Sequence, residues 1–137
     1  MLRPTAILET VLYVDRLDRA ETFYREVIGL DLLHTDPRMR ALDVNGRGVL
    51  LLFQRGATTQ DVNTPFGTIP SHDGQGPAHM AFAVGAEDLG LWRDRLADAG
   101  IPVESEVAWP RGGRSLYFRD PDDHCIELAT PGLWQGY

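Results

Sequence analysis

The chain writes one module twice. Glu9–Leu33 (ETVLYVDRLDRAETFYREVIGLDLL) aligns with His79–Val103 (HMAFAVGAEDLGLWRDRLADAGIPV). Glu9 falls on His79, Leu12 on Phe82 and Val14 on Val84, an offset of 70, and Gly29-Leu30 falls on Gly100-Ile101, an offset of 71. A repeat of this kind imposes one supersecondary unit on both halves and is read before any single element. Each copy runs strand, short turn, helix, glycine stop, strand. In the first, Asp18 is the expected N-cap of a helix with apolar Ala20, Phe23, Tyr24, Val27 and Ile28, ended by Gly29. In the second, Leu89, Trp92, Leu96 and Ala99 form the stripe and Gly100 ends it.

Strand candidates follow each helix. The first copy offers Asp31–Thr35, Arg40–Val44 and Gly48–Gln54, the last two joined by an Asn45-Gly46 hairpin signal. The second offers Val103–Val107, Ser115–Arg119 and Cys125–Ala129, with Asp120-Pro121-Asp122-Asp123 as the turn before the last. The expected class is α+β, two tandem βαβββ modules. They span about residues 5–55 and 77–131 of a single domain, joined by a polar, Gly/Pro-rich segment over 56–76 and followed by a tail, 132–137. That joining segment is long for a plain connection, so it is either a linker or a functional loop. A four-stranded sheet with its helix on one face must also cover the other. Curling into a cup and pairing two cups does so and leaves a cavity.

Alternation along the strands sorts the side chains. Thr10, Leu12 and Val14 share one face and Glu9, Val11 and Tyr13 the other. Met80, Phe82 and Val84 oppose His79, Ala81 and Ala83, and Ile126 and Leu128 oppose Cys125, Glu127 and Ala129. With the bulkier sets on the helices, Glu9, His79 and Glu127 enter the cup. A buried carboxylate needs a partner or a metal. Two carboxylates and a histidine at these positions make a candidate metal set. The plainer alternative is an edge-exposed Glu127 and a hydrogen-bonded Glu9.

Composition narrows the function classes. The net charge of −7, with no Lys/Arg run, argues against nucleic acid. The single cysteine, Cys125, excludes an internal disulfide and fits a reducing compartment. The start MLRPTAILET lacks a signal-peptide pattern, and the longest apolar run, Val49–Phe53, falls far short of a membrane span. A cytoplasmic protein with a small-molecule substrate and no membrane partner is expected.

Three segments, VDRLDRAETFYREVIGL, GPAHMAF and SLYFRDPDDHCIEL, resemble the vicinal oxygen chelate superfamily. That group includes glyoxalase I, extradiol dioxygenases, fosfomycin-resistance proteins and bleomycin-binding proteins. The resemblance runs from Glu9 to about Ala129 and implies a glyoxalase-like fold with a metal cup inside. By position it carries the metal ligands onto Glu9, His79 and Glu127. The fourth ligand position of glyoxalase I falls on Leu51, or on Leu52 with a register slip, and neither binds a metal. One His and two carboxylates suit Mn, Fe, Ni, Zn or Mg. Glu127 and Glu9 are also the candidate catalytic groups, through exchange of a ligand role for a base role. The resemblance further implies a divalent-metal enzyme of glyoxalase or dioxygenase type, acting on a substrate with two adjacent oxygens. A fosfomycin-type thiol transferase or hydrolase is the alternative enzyme. A non-catalytic drug or metabolite binder is the alternative of another class, disfavoured by the retained ligands.

For substrate contact the candidates are Leu51, Phe53, Tyr117 and His72, with Arg111 and Arg114 on a flexible Gly112-Gly113 turn that could clamp an anion bidentately. His72 is read as an exposed loop residue, a fourth ligand or an acid–base group. His34 and His124 are expected at the surface. Cys125 is read as a small buried hydrophobe beside the cup. Family chains of this size often form homodimers in which one chain's first module faces the other's second, with pairing of the two modules within one chain as the alternative, and the tail GLWQGY could cover a dimer interface.

Overall fold

Strand alternation and two amphipathic helices fix both halves of the molecule. In β1 (Glu9–Val14), Leu12 and Val14 are 3% and 0% exposed on one face, while Glu9 on the other is open to solvent. The fold is taken from a computed structural model that describes residues 1–137 and divides into two compact units, Met1–Gly76 and Pro77–Tyr137.

The first unit continues with α1 (Leu17–Thr22), which passes directly into a π-helical stretch, Phe23–Ile28. Gly29, at φ +89°, ends it in the left-handed conformation that glycine takes without a Cβ penalty. Leu17, Ala20, Phe23, Tyr24 and Ile28 turn inward, as do Leu42, Leu50 and Leu52 of the sheet. Then come β2 (Asp31–Thr35), β3 (Met39–Asp43) and β4 (Val49–Gln54), in the order β1-β4-β3-β2 with β1 parallel to β4. Asn45 and Gly46 both have positive φ, +52° and +68°, the requirement of the tight turn their dipeptide signals. Asp18 is not the N-cap. The helix starts earlier because Leu17 must reach the core; Arg16 precedes it in extended backbone, and Asp18 lies in the first turn, 2.8 Å from the Arg16 guanidinium.

The second unit repeats the plan. It contains β7 (His79–Ala83), a 3₁₀ turn at Ala86–Asp88, α2 (Leu89–Asp98), β8 (Ser105–Ala108), β9 (Arg114–Arg119) and β10 (Cys125–Ala129). The sheet order is β7-β10-β9-β8, with β7 parallel to β10. Ile126, Leu128, Leu116 and Phe118 are fully buried on the helix side together with Leu96. The strand expected at Val103–Val107 begins at Ser105; Pro102 and Val103 stay exposed. The chain is thus α+β, with two βαβββ modules and two mixed four-stranded sheets.

The joining segment carries a short hairpin, β5 (Val62–Thr64) and β6 (Gly67–Ile69). Thr58 and His72 close its base: His72 N–H donates to the Thr58 carbonyl at 2.9 Å, and Thr58 Oγ1 donates to the His72 carbonyl at 2.6 Å. No helix of the chain is long and apolar enough to cross a membrane.

Candidate functional site

The cup face of the second unit holds a directional hydrogen-bond chain. Trp109 Nε1–H, which can only donate, donates to Ser115 Oγ at 2.8 Å. The Ser115 hydroxyl then donates to Glu127 Oε2 at 2.5 Å. Ser115 is fully buried and Glu127 is 4% exposed, so Glu127 is neither at an edge nor solvated. Strand register explains the meeting: Glu127 lies opposite Tyr117 and Ala129 opposite Ser115, which makes Ser115 a diagonal neighbour of Glu127 on the same face.

The other carboxylate oxygen faces His79. Glu127 Oε1 lies 3.3 Å from His79 Nε2. His79 Nδ1 is 2.9 Å from the Cys125 carbonyl oxygen, which can only accept, so Nδ1 carries the hydrogen. Unless the ring takes a second proton, Nε2 and Oε1 are two acceptors aimed at each other. A cation between them resolves the opposition. A metal-binding imidazole commonly anchors its far N–H on a backbone carbonyl in this way. His79 is also stacked on Tyr117, with ring centroids 6.3 Å apart and planes at 28°. Burial, reinforced by the Glu127 charge, pushes the Tyr117 phenol above its ordinary range, so it keeps its hydrogen and remains a donor.

In the first unit, Glu9 lines a cleft of about 570 Å³ with Val11, Leu51 and Phe53 on the sheet floor, and with Arg38, Thr58, Ile69 and His72 among its walls. His72 is tied down here. Its Nδ1 makes a very short hydrogen bond with the Tyr13 hydroxyl, which also lies 2.9 Å from Thr58 Oγ1. Since Thr58 donates to the His72 carbonyl, one consistent assignment has Tyr13 donating to Thr58 and His72 Nδ1–H donating to Tyr13. His72 Nε2 is then left as an acceptor. Nowhere in the chain do three His, Cys, Asp or Glu side chains gather closely enough to hold a metal ion.

The family model for the glyoxalase/bleomycin resistance protein/dioxygenase superfamily matches residues 6–128. The chain belongs to that superfamily. Among relatives of this superfamily member, the crystal structure of lactoylglutathione lyase from Agrobacterium tumefaciens is similar at 38% identity and a TM-score of 0.87, covering 96% of this chain and 97% of that one. A probable lactoylglutathione lyase of Vibrio parahaemolyticus is 30% identical over 144 residues, covering 93% of this chain and 95% of that protein. Metallothiol transferase FosB of Bacillus licheniformis is 30% identical over 122 residues, covering 88% and 72%.

The remaining candidate residues of this glyoxalase-superfamily chain fall into place unevenly. Arg114 shares strand parity with Leu116 and Phe118, not with Tyr117, and its guanidinium donates to Glu106 Oε1 at 2.6 Å, a carboxylate shared with Arg93. Arg111 is exposed and makes no ion pair. Their Gly112-Gly113 turn packs on the C-terminal tail, with Gly113 N–H donating to the Gly132 carbonyl at 3.2 Å. A Cβ on Gly113 would stand 2.6 Å from the Gly132 carbonyl carbon, so the glycine permits a backbone-to-backbone approach that seats the turn on the C-terminal tail. In that tail Tyr137 donates to the Ala129 carbonyl at 2.7 Å, while Trp134 stays 71% exposed. His124 is not at the surface. It is 1% exposed because the Asp120 turn holds its N–H, and its Nδ1 accepts the Ala78 N–H at 2.8 Å. Cys125 is half-buried.

Sequence reasoning missed Ser115, Trp109, Thr58 and Arg38. Ser115 had a signal, a polar residue on the inward parity of a core strand. Trp109, Thr58 and Arg38 had none, because loop paths bring them in.

Proposed function

We propose that the chain is a divalent-metal-dependent enzyme acting on a small molecule that presents two adjacent oxygens, with His79, Glu127 and Glu9 as metal ligands. The two modules act as one functional domain. The observation that carries this reading is the pair of facing acceptors, His79 Nε2 and Glu127 Oε1, 3.3 Å apart, with the other His79 nitrogen committed to a carbonyl. Glu9 would come from a second copy of the chain in a homodimer, the arrangement that the resemblance implies. The bound cation, one of Mn, Fe, Ni, Zn or Mg, supplies charge stabilisation for an oxyanion developing on the substrate.

The chain's own groups do the rest. The Trp109–Ser115 relay holds Glu127 in one orientation and leaves a single oxygen facing the cup. Glu127 and Glu9 are the carboxylates placed to carry a proton between substrate atoms. Tyr117, kept protonated, hydrogen-bonds Glu127 and helps hold that carboxylate in place. Isomerase or lyase chemistry is favoured by the similarity to two lactoylglutathione lyases. Leu51, at the place of a fourth ligand, separates this site from that of glyoxalase I. Metal-dependent thiol transfer is the second reading, favoured by the similarity to FosB. The test is metal content after purification without chelator, followed by mixing Glu9→Gln chains with Glu127→Gln chains. Each variant alone should hold little metal, and a refolded mixture should recover about a quarter of the wild-type content, because a shared two-site dimer rebuilds one intact site per heterodimer. Full metal content in Glu127→Gln would refute the ligand set, and no recovery on mixing would refute the shared site. Loss of a methylglyoxal–thiol adduct, assayed beside thiol addition to an epoxide and oxygen uptake with a catechol, separates the reactions.

A further inference from the structure

We infer that the first-unit cleft takes an elongated amphipathic anion, with its carboxylate on Arg38 and its apolar body on Val11, Leu51 and Phe53. The inference rests on the reading of this cup as part of a small-molecule site and names the class of molecule.

Arg38 is the unusual group. The chain carries 20 acidic residues against 13 basic ones, and most of its arginines are paired: Arg16, Arg25, Arg40, Arg55, Arg93, Arg114 and Arg119 all meet carboxylates. Arg38 is half-buried yet has no acidic partner. Its one side-chain hydrogen bond is from Nη1 to the Ala57 carbonyl at 3.3 Å. The guanidinium carbon stands 6.0 Å from the centre of the Phe53 ring, so the cation sits beside the apolar floor with donors unspent. A planar fork of this kind matches a carboxylate bidentately.

Register gives the length of the ligand. Glu9 stands opposite Val49, whereas Tyr13 and Met39 stand opposite Phe53, beside Arg38. Four residues of parallel strand separate the two levels, roughly 13 Å. Val11 and Leu51 lie midway, and the cleft of about 570 Å³ falls within the range of small-molecule sites. A molecule whose head is handled at Glu9 therefore crosses an apolar middle before its anionic end reaches Arg38.

The test uses the full chain in chelator with 4-phenylbutanoate as probe and its uncharged amide as control, followed by NMR titration. Saturable shifts confined to Val11, Leu51, Phe53 and His72 are expected. The amide should bind about tenfold or more weakly, the loss expected when a charge-assisted hydrogen bond is removed. Arg38→Gln should weaken the carboxylate by a similar factor and leave the amide unchanged. Arg38→Lys should keep part of the preference, which guards against a variant that merely loosens the Ala57 contact. Equal affinity for acid and amide, shifts elsewhere, or an Arg38→Gln chain that binds like wild type would overturn the proposal. Probe affinity is read in chelator and metal content is read separately, so a failed metal site and a failed anion site give different results.

Discussion

Replacing Glu127 by glutamine should stabilise the metal-free chain. Glu127 is 4% exposed; the Ser115 hydroxyl donates to Oε2, the Tyr117 side chain also hydrogen-bonds the carboxylate, and Oε1 lies 3.3 Å from His79 Nε2. With the His79 ring uncharged, two acceptors oppose each other, the carboxylate buried and the imidazole half-exposed. The amide of Glu127→Gln keeps an oxygen for the Ser115 hydroxyl and turns an N–H toward His79 Nε2. The change adds a hydrogen bond worth about 0.5–1.5 kcal/mol and removes a buried charge, against the weaker bond that a neutral oxygen accepts from Ser115. A net gain of about 1–2 kcal/mol follows, or roughly 3–8 °C in Tm for a chain of this size. With Mn²⁺ or Ni²⁺ added the order should reverse. Wild type gains about 2.7 kcal/mol at a hundredfold excess over Kd, and Glu127→Gln gains little. Differential scanning calorimetry in chelator and in metal reads both effects. A lower Tm for Glu127→Gln in chelator would mean that the carboxylate is already satisfied. Equal metal-induced shifts in the two proteins would remove Glu127 from the ligand set.

Ser115→Ala should lower stability by about 1.5–3 kcal/mol, by removing a buried donor from a carboxylate, and should weaken metal binding about 10–100-fold; denaturant titration and metal-competition fluorescence check the two halves. Gly113→Ala drives a Cβ to 2.6 Å from Gly132 backbone and should cost about 1–3 kcal/mol, read as a lower urea midpoint at unchanged slope. The hydrogen bond from Arg93 holds Glu106 below its unfolded value near 4.5, against partial burial and with the Arg93 and Arg114 charges helping. Its contribution is therefore complete above about pH 4.5 and lost as pH falls through the lower folded value. Between pH 5 and roughly pH 3 the Tm of wild type should drop more steeply than that of Glu106→Gln; parallel curves would refute the pairing.

Much of this was legible in the sequence, for a physical reason. A strand's period of two and a helix's stripe are fixed by backbone geometry, so the repeat announced both modules and put Glu9, His79 and Glu127 on the sheet faces opposite the buried leucines and isoleucine. Helix starts were less legible. The Asp18 cap failed because burial of Leu17 outweighed local capping preference. The loops were least legible. Nothing in the pattern of residues 56–76 shows that Thr58 and His72 close a loop or that His72 reaches Tyr13. The Gly113 contact with Gly132 likewise joins residues that only the folded path brings together. His124 was misjudged for the same reason: the Asp120 turn holds its N–H and its ring reaches Ala78.

The two modules share a plan and differ in what they place on its inner face. Aligned by register, His79, Ala81 and Ala83 correspond to Glu9, Val11 and Tyr13, and Glu127 corresponds to Leu51. On the neighbouring strand, Ser115 and Tyr117 correspond to Met39 and Ala41. The second unit has therefore spent its inner face on a polar relay that orients one carboxylate, and it keeps small residues beside it. The first has kept one carboxylate, replaced the relay by Met39 and Leu51, and added the bulk of Tyr13 and Phe53. A relay of buried hydrogen bonds holds a ligand atom in one place; an apolar floor with an unpaired guanidinium at its end binds the length of a molecule. Each inner face carries what the other lacks: a carboxylate fixed by buried hydrogen bonds in the second unit, and an apolar floor beside Arg38 in the first.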